Sequence, residues 1–141
     1  AFSAFAFSIS GESMTAEANI FADSISIEVP DYIFLGNISK GFANEKVKLY
    51  INNTGTTNVT ITPKLEDSSE KIFNYTYFAR RADDVFVQIG KFSLNIPKPS
   101  TFGGKRDEYC YIRLDLTNYP YSISNDVPAH KSNIIFWATA S

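Results

Sequence analysis

Lys46-Val47-Lys48-Leu49-Tyr50-Ile51-Asn52-Asn53-Thr54-Gly55, followed after two threonines by Asn58-Val59-Thr60-Ile61-Thr62-Pro63-Lys64-Leu65, is the stretch on which the fold turns. In its first half Val47, Leu49 and Ile51 alternate with Lys46, Lys48 and Tyr50. That is the period-2 pattern of a strand with one face on a core and the other in solvent. Asn52-Asn53-Thr54-Gly55 carries turn chemistry, and the chain returns with Val59 and Ile61 inward. The expectation is a hairpin whose exposed turn is flanked by Asn52 and Asn58.

Working outward, Ile25, Ile27 and Val29 alternate with Ser24, Ser26 and Glu28 in Ala22 to Val29, which stops at the turn signal Pro30-Asp31. Further strands are expected at Ile72 to Ala79, Asp84 to Ile89, Phe92 to Ile96, Tyr109 to Leu116 and Asn133 to Thr139. Gly90, Pro97-Lys98-Pro99, Gly103-Gly104, Tyr119-Pro120 and Pro128 punctuate them. Helical 3.6 spacing is missing. The chain therefore reads as all-β, a jelly-roll or immunoglobulin-like β-sandwich occupying 11–141, with residues 1–10 as a separate N-terminal strand.

With 141 residues, 44% hydrophobic and 15% aromatic, the chain has enough apolar surface for one core. A net charge of −2 and no basic run longer than Arg80-Arg81 argue against nucleic acid as a partner. No stretch approaches the roughly 18 apolar residues of a membrane-spanning helix, so no transmembrane segment is expected. A chain that opens on Ala1 rather than Met reads as processed or trimmed.

Catalytic chemistry finds little to build on. The single His130 lies beside Lys131 and close to Pro128, where a solvated loop histidine is expected. One His and one Cys give no zinc site, and neither HExxH nor a nucleophile elbow occurs. Cys110 lies between Tyr109 and Tyr111 on a face shared with Ile112, Leu114 and Leu116, the setting of a small buried hydrophobe. Glu66-Asp67, Asp83-Asp84 and Asp107-Glu108 read as solvated strand or loop ends, and Gly103-Gly104 before Lys105-Arg106 as a hairpin loop rather than a phosphate cradle. We expect no catalytic residue, no metal site and no cofactor. Four Asn-X-Ser/Thr sequons, at Asn37, Asn52, Asn58 and Asn74, are candidate N-glycosylation sites if the protein is secreted.

The start of the chain is the informative segment. In Ala1 to Ser10, Phe5, Phe7 and Ile9 share one face, and Ala4, Ala6, Ser8 and Ser10 share the other with Phe2. The segment has no charged side chain, so exposed in solution it is an aggregation hazard. Extended, ten residues reach about 33–36 Å, the length of a sandwich. Such a strand either opens its own sheet or adds to the sheet of a neighbouring subunit. In the second case Phe2, Phe5, Phe7 and Ile9 form the donor-strand interface, and Gly11 to Asn19 cross between subunits.

The order of elements resembles the TasA/camelysin family of biofilm-fibre proteins and the archaeal bundling pilins similar to them. The residues that carry the resemblance are the alternation Ala4 to Ser10, then Ala22-Asp23-Ser24-Ile25-Ser26-Ile27. The turn Leu35-Gly36-Asn37-Ile38-Ser39-Lys40-Gly41 and the strand end Ile51-Asn52-Asn53-Thr54-Gly55-Thr56 follow. It extends to about residue 65 and departs at Lys40, where the family commonly has Pro. Metalloprotease activity described for some members is not implied here, because the ligands are missing. The resemblance implies a jelly-roll subunit polymerising head to tail by donor-strand complementation.

The leading expectation is accordingly a structural subunit of an extracellular, cell-surface filament, a homopolymer of identical subunits that carries covalent glycans. The alternative is a monomeric secreted adhesin or carbohydrate-binding module using Tyr75, Tyr77, Tyr111, Tyr119 and Tyr121 as a stacking platform. An enzyme ranks third.

Overall fold

The computed structural model describes residues 11–67, 70–123 and 130–141. Its strands are β1 (Ile27–Glu28), β2 (Val47–Asn53), β3 (Val59–Leu65), β4 (Thr76–Ala79), β5 (Val87–Gln88), β6 (Leu94–Ile96), β7 (Arg106–Leu114) and β8 (Ile134–Ala140), with a 3-10 turn at Lys71–Tyr75. They form two antiparallel sheets, a five-stranded one in the order β1-β2-β7-β4-β5 and a three-stranded one in the order β6-β3-β8. The fold is all-β, two sheets closed on one core, as the alternation implies.

β2 and β3 present the faces expected of them: Leu49, Ile51, Val59 and Ile61 are buried, while Lys46, Lys48 and Tyr50 are exposed. They do not form a hairpin. β2 pairs with β1 and β7, and β3 with β6 and β8, so residues 54–58 carry the chain from one sheet to the other. The physical reason lies in Asn53, which is 0% exposed. Its Nδ2 donates to the carbonyls of Thr57 at 2.9 Å, Ile96 at 3.2 Å and Pro97 at 3.2 Å, and its Oδ1 accepts from Gly55 N at 3.0 Å. One buried amide thus satisfies backbone groups where the sheets diverge, and ties the end of β2 to the end of β6.

Across the core Leu49, Ile51, Cys110, Ile112 and Phe78 of the larger sheet meet Val59, Ile61, Leu94 and Ile96 of the smaller. Phe92 stacks on Phe78 with ring centroids 5.5 Å apart. A second cluster, Ile72, Phe73, Leu114, Leu116 and Tyr119, packs beside it. Pro63 is buried inside β3 opposite Phe136. It is tolerated because β6 pairs only as far as Ile61, so beyond that point one flank of β3 has no ladder to break.

Several expected strands are shorter or different. Of Ala22 to Val29 only Ile27–Glu28 joins the sheet, and Ile25 and Val29 are exposed, not inward. Ser24 and Ser26 hydrogen-bond instead to the turn after β2. Ile72 to Tyr75 lie instead in the 3-10 turn, which brings the adjacent Ile72 and Phe73 both into the second cluster. Asp84 to Ile89 contracts to Val87–Gln88. Gly103-Gly104 is a sheet-to-sheet connection and not a hairpin loop, since β6 and β7 belong to different sheets. Asp107 and Glu108 lie within β7. Glu108 is no solvated end, because Arg80 Nη2 reaches its Oε2 at 2.8 Å and its side chain is only 15% exposed.

Candidate functional site: an open sheet edge

β8 pairs with β3 along its whole length, from Ile134 opposite Leu65 to Ala140 opposite Val59. Ile134, Phe136 and Ala138 pack inward against the core, which turns Trp137 outward, 57% exposed. Among the described residues no strand pairs with the other flank of β8. The inward row is only half-buried, whereas Val59 and Ile61 on the neighbouring strand are 0% and 1% exposed.

Topology explains the difference. The Phe136 ring meets Phe78 of β4 edge-on at 6.3 Å. β5 lies one strand further out, and its Val87, directly opposite Phe78 in register, faces the same way yet is 37% exposed. Natural edge strands are usually blunted by charge, proline or a covering element. Ile134-Ile135-Phe136-Trp137-Ala138-Thr139-Ala140 has neither charge nor proline.

At the other end of the chain every residue from 11 to 26 is exposed. This arm meets the body at a clamp. Thr54 N donates to Ser26 O at 2.9 Å and Thr56 N to Ser24 O at 3.0 Å, while Ser24 N donates to Thr56 Oγ1 at 2.7 Å and the Ser26 and Thr54 hydroxyls lie 2.8 Å apart. Gly55 is required there, because a Cβ would stand 2.5 Å from Ser24 O. Just upstream, Phe21 stacks on Phe102 of the β6–β7 connection at 5.7 Å. Phe2, Phe5, Phe7 and Ile9 lie outside the described residues.

The remaining candidates are dispersed. The five tyrosines of the stacking platform fall into separate groups. Tyr75, Tyr119 and Tyr121 pack edge to face at 5.1 and 5.5 Å, with Tyr119 buried. Tyr111 instead joins Tyr109 and Tyr50, whose rings are capped by the Lys48 ammonium at 4.0 and 5.1 Å. Tyr77 lies on β4, and its register partners are Arg113 and Gln88. His130 is not simply solvated, since its Nδ1 lies 3.5 Å from Glu70 Oε1. Cys110 is fully buried, and burial pushes its thiol up to about 12. Among the described residues no three His, Cys, Asp or Glu side chains group as metal ligands, and no helix is long and apolar enough to cross a membrane.

In the sequence Asn133 to Thr139 reads only as a strand; its uncharged run is the signal that could mark an unprotected edge, whereas the free flank among the described residues depends on which strand lies beside it. The chain was also compared with known proteins: no family model matches it, and neither does any curated protein or solved structure.

Proposed function

We infer that the chain is a structural subunit of an extracellular filament, in which residues 1–10 of one copy lie along β8 of the next. The observation that carries this reading is the uncharged, seven-residue edge of β8 with its inward row half covered. A strand added there extends the smaller sheet. Phe5, Phe7 and Ile9 recur every second residue in the sequence, as Ile134, Phe136 and Ala138 do, and an extended strand of that pattern repeats about every 6.6–6.8 Å. Backbone hydrogen bonds supply one part of the affinity. Burying each bulky side chain adds roughly 1.5–3 kcal/mol.

The exposed arm supplies the reach, and the clamp at Ser24 and Ser26 fixes where it leaves its own subunit. The contact is heterologous, one end of a subunit on a different surface of the next, so it does not close and produces a filament. The resemblance to biofilm-fibre proteins agrees with this reading, which requires neither catalysis nor a cofactor.

Deleting residues 1–10 tests it: a folded chain that stays monomeric by sedimentation, where the full-length chain forms filaments visible by electron microscopy, is the expected result. A truncated chain that unfolds beside a monomeric full-length chain overturns the reading and returns the strand to its own sheet. Within the strand, Phe7→Asp abolishes assembly because a carboxylate would be desolvated without a partner, whereas Ser8→Asp on the small face is milder. Equal polymer from Phe7→Asp and wild type removes that face as the anchor.

A further inference from the structure

The four sequons are equivalent as motifs, and three end in Thr, which transferases read at least as well as Ser, so the sequence offers no reason to prefer Asn37. The fold separates them. Transfer to a folded chain needs a reachable asparagine amide, a free hydroxyl two residues on, and backbone that can leave its neighbours to enter the enzyme. Asn74 fails at the hydroxyl, because Thr76 is 0% exposed and its Oγ1 donates to Phe73 O at 2.8 Å. Asn58 fails at both ends, since its Oδ1 accepts from Lys98 N at 2.9 Å and Thr60 Oγ1 donates to Asn95 Oδ1 at 2.8 Å. Asn52 lies inside β2, flanked in register by Glu28 on one side and Asp107 on the other.

Asn37 meets the first two requirements, and its backbone lies outside any strand. It and Ser39 are exposed, in the connection between β1 and β2, and among the described residues no hydrogen bond engages the Asn37 side chain. Leu35 and Ile38 pack against the second core cluster on either side, so the loop holds the asparagine out at its tip. Gly36 and Gly41 bracket it at φ of +103° and +92°, a left-handed backbone that suits glycine.

We propose that Asn37 is the N-glycan acceptor of the folded chain. In the transfer, Asn37 Nδ2 attacks the anomeric carbon of a lipid-linked oligosaccharide; an N–C bond forms, the sugar–phosphate bond breaks, the lipid diphosphate leaves with the electron pair, and the amide proton passes to a base of the transferase. The assignment concerns the folded subunit and does not depend on its polymerising.

The test presents the full chain, native and denatured in parallel, to a single-subunit oligosaccharyltransferase that reads Asn-X-Ser/Thr, with a lipid-linked oligosaccharide donor. Site-resolved mass spectrometry is the readout. The native chain is expected to be modified at Asn37 at least ten times more than at Asn52, Asn58 or Asn74, with Asn37→Gln removing nearly all of the signal and Asn74→Gln leaving it unchanged. The denatured chain is expected to spread modification over the other sequons. Comparable transfer to Asn74 in the native chain overturns the proposal, as does a native chain unmodified at Asn37 when the denatured chain is modified there.

Discussion

β2 and β8 are each seven residues long and each belongs to a sheet over the same core, but among the described residues β2 has a neighbour on both flanks and β8 on one. Leu49 and Ile51 are 4% and 1% exposed, while Ile134, Phe136 and Ala138 remain half-buried. Alternation decides which face of a strand turns inward; the adjoining strand decides whether that face becomes dry. The closed side of the sandwich is therefore the side that holds the fold, and the open side is the one with apolar surface still to bury.

The most damaging change is expected on the closed side. Asn53→Ala leaves the carbonyls of Thr57, Ile96 and Pro97 and the Gly55 N–H without their partner. With an unsatisfied buried group costing about 1–3 kcal/mol, and water reaching some of the four, a loss of roughly 3–5 kcal/mol in urea unfolding is expected. A loss below about 1 kcal/mol would show that the corner is held by something other than this amide.

Two phenylalanines in contact across the core sharpen the contrast. Phe78 is 0% exposed, and Phe78→Ala is expected to cost about 3–5 kcal/mol. Phe136, 6.3 Å away and half-buried, is expected to cost roughly 1–2 kcal/mol in the isolated subunit on Phe136→Ala, while reducing filament yield far more than Phe78→Ala does per unit of lost stability. Comparable stability losses from the two, with no effect of Phe136→Ala on assembly, break the distinction between the sides.

How much of this the sequence discloses follows from the same contrast. β2, β3 and β7 are long, and their alternation overrides local noise, so their faces are readable. What pairs with what is not. Asn53 in Asn52-Asn53-Thr54-Gly55 has the composition of an exposed turn, and only a second sheet placed against it turns that amide into a buried latch. β1 and β5 are two residues each, too short for any periodicity, and Ile72-Phe73 packs through a 3-10 turn whose two buried neighbours mimic a strand's apolar content. The missing charge in β8 is visible in the sequence; its vacant flank among the described residues is a property of topology alone.

The smallest effect is expected at Cys110, and it probes the closed side without breaking it. The thiol is buried against the core, and burial raises it from the ordinary 9.0 to about 12. Below pH 9 the thiol is protonated in both folded and unfolded chains, so Cys110→Ala leaves the pH dependence of stability unchanged near neutrality. Above pH 9 the unfolded chain releases a proton that the folded chain retains, so this group's contribution is lost as pH rises towards 12, by about 1.4 kcal/mol per pH unit at most. Tyrosines and lysines titrate in the same range, so the quantity to compare is the difference in slope between wild type and Cys110→Ala. In labelling, Cys110 reacts with iodoacetamide only at the rate of global unfolding. A cysteine placed on the open side by Ala138→Cys reacts quickly in the monomer and is protected in the filament. Labelling of Cys110 as fast as of the introduced cysteine would mean that the closed side opens as readily as the free edge, and the distinction between the two sides would fall with it.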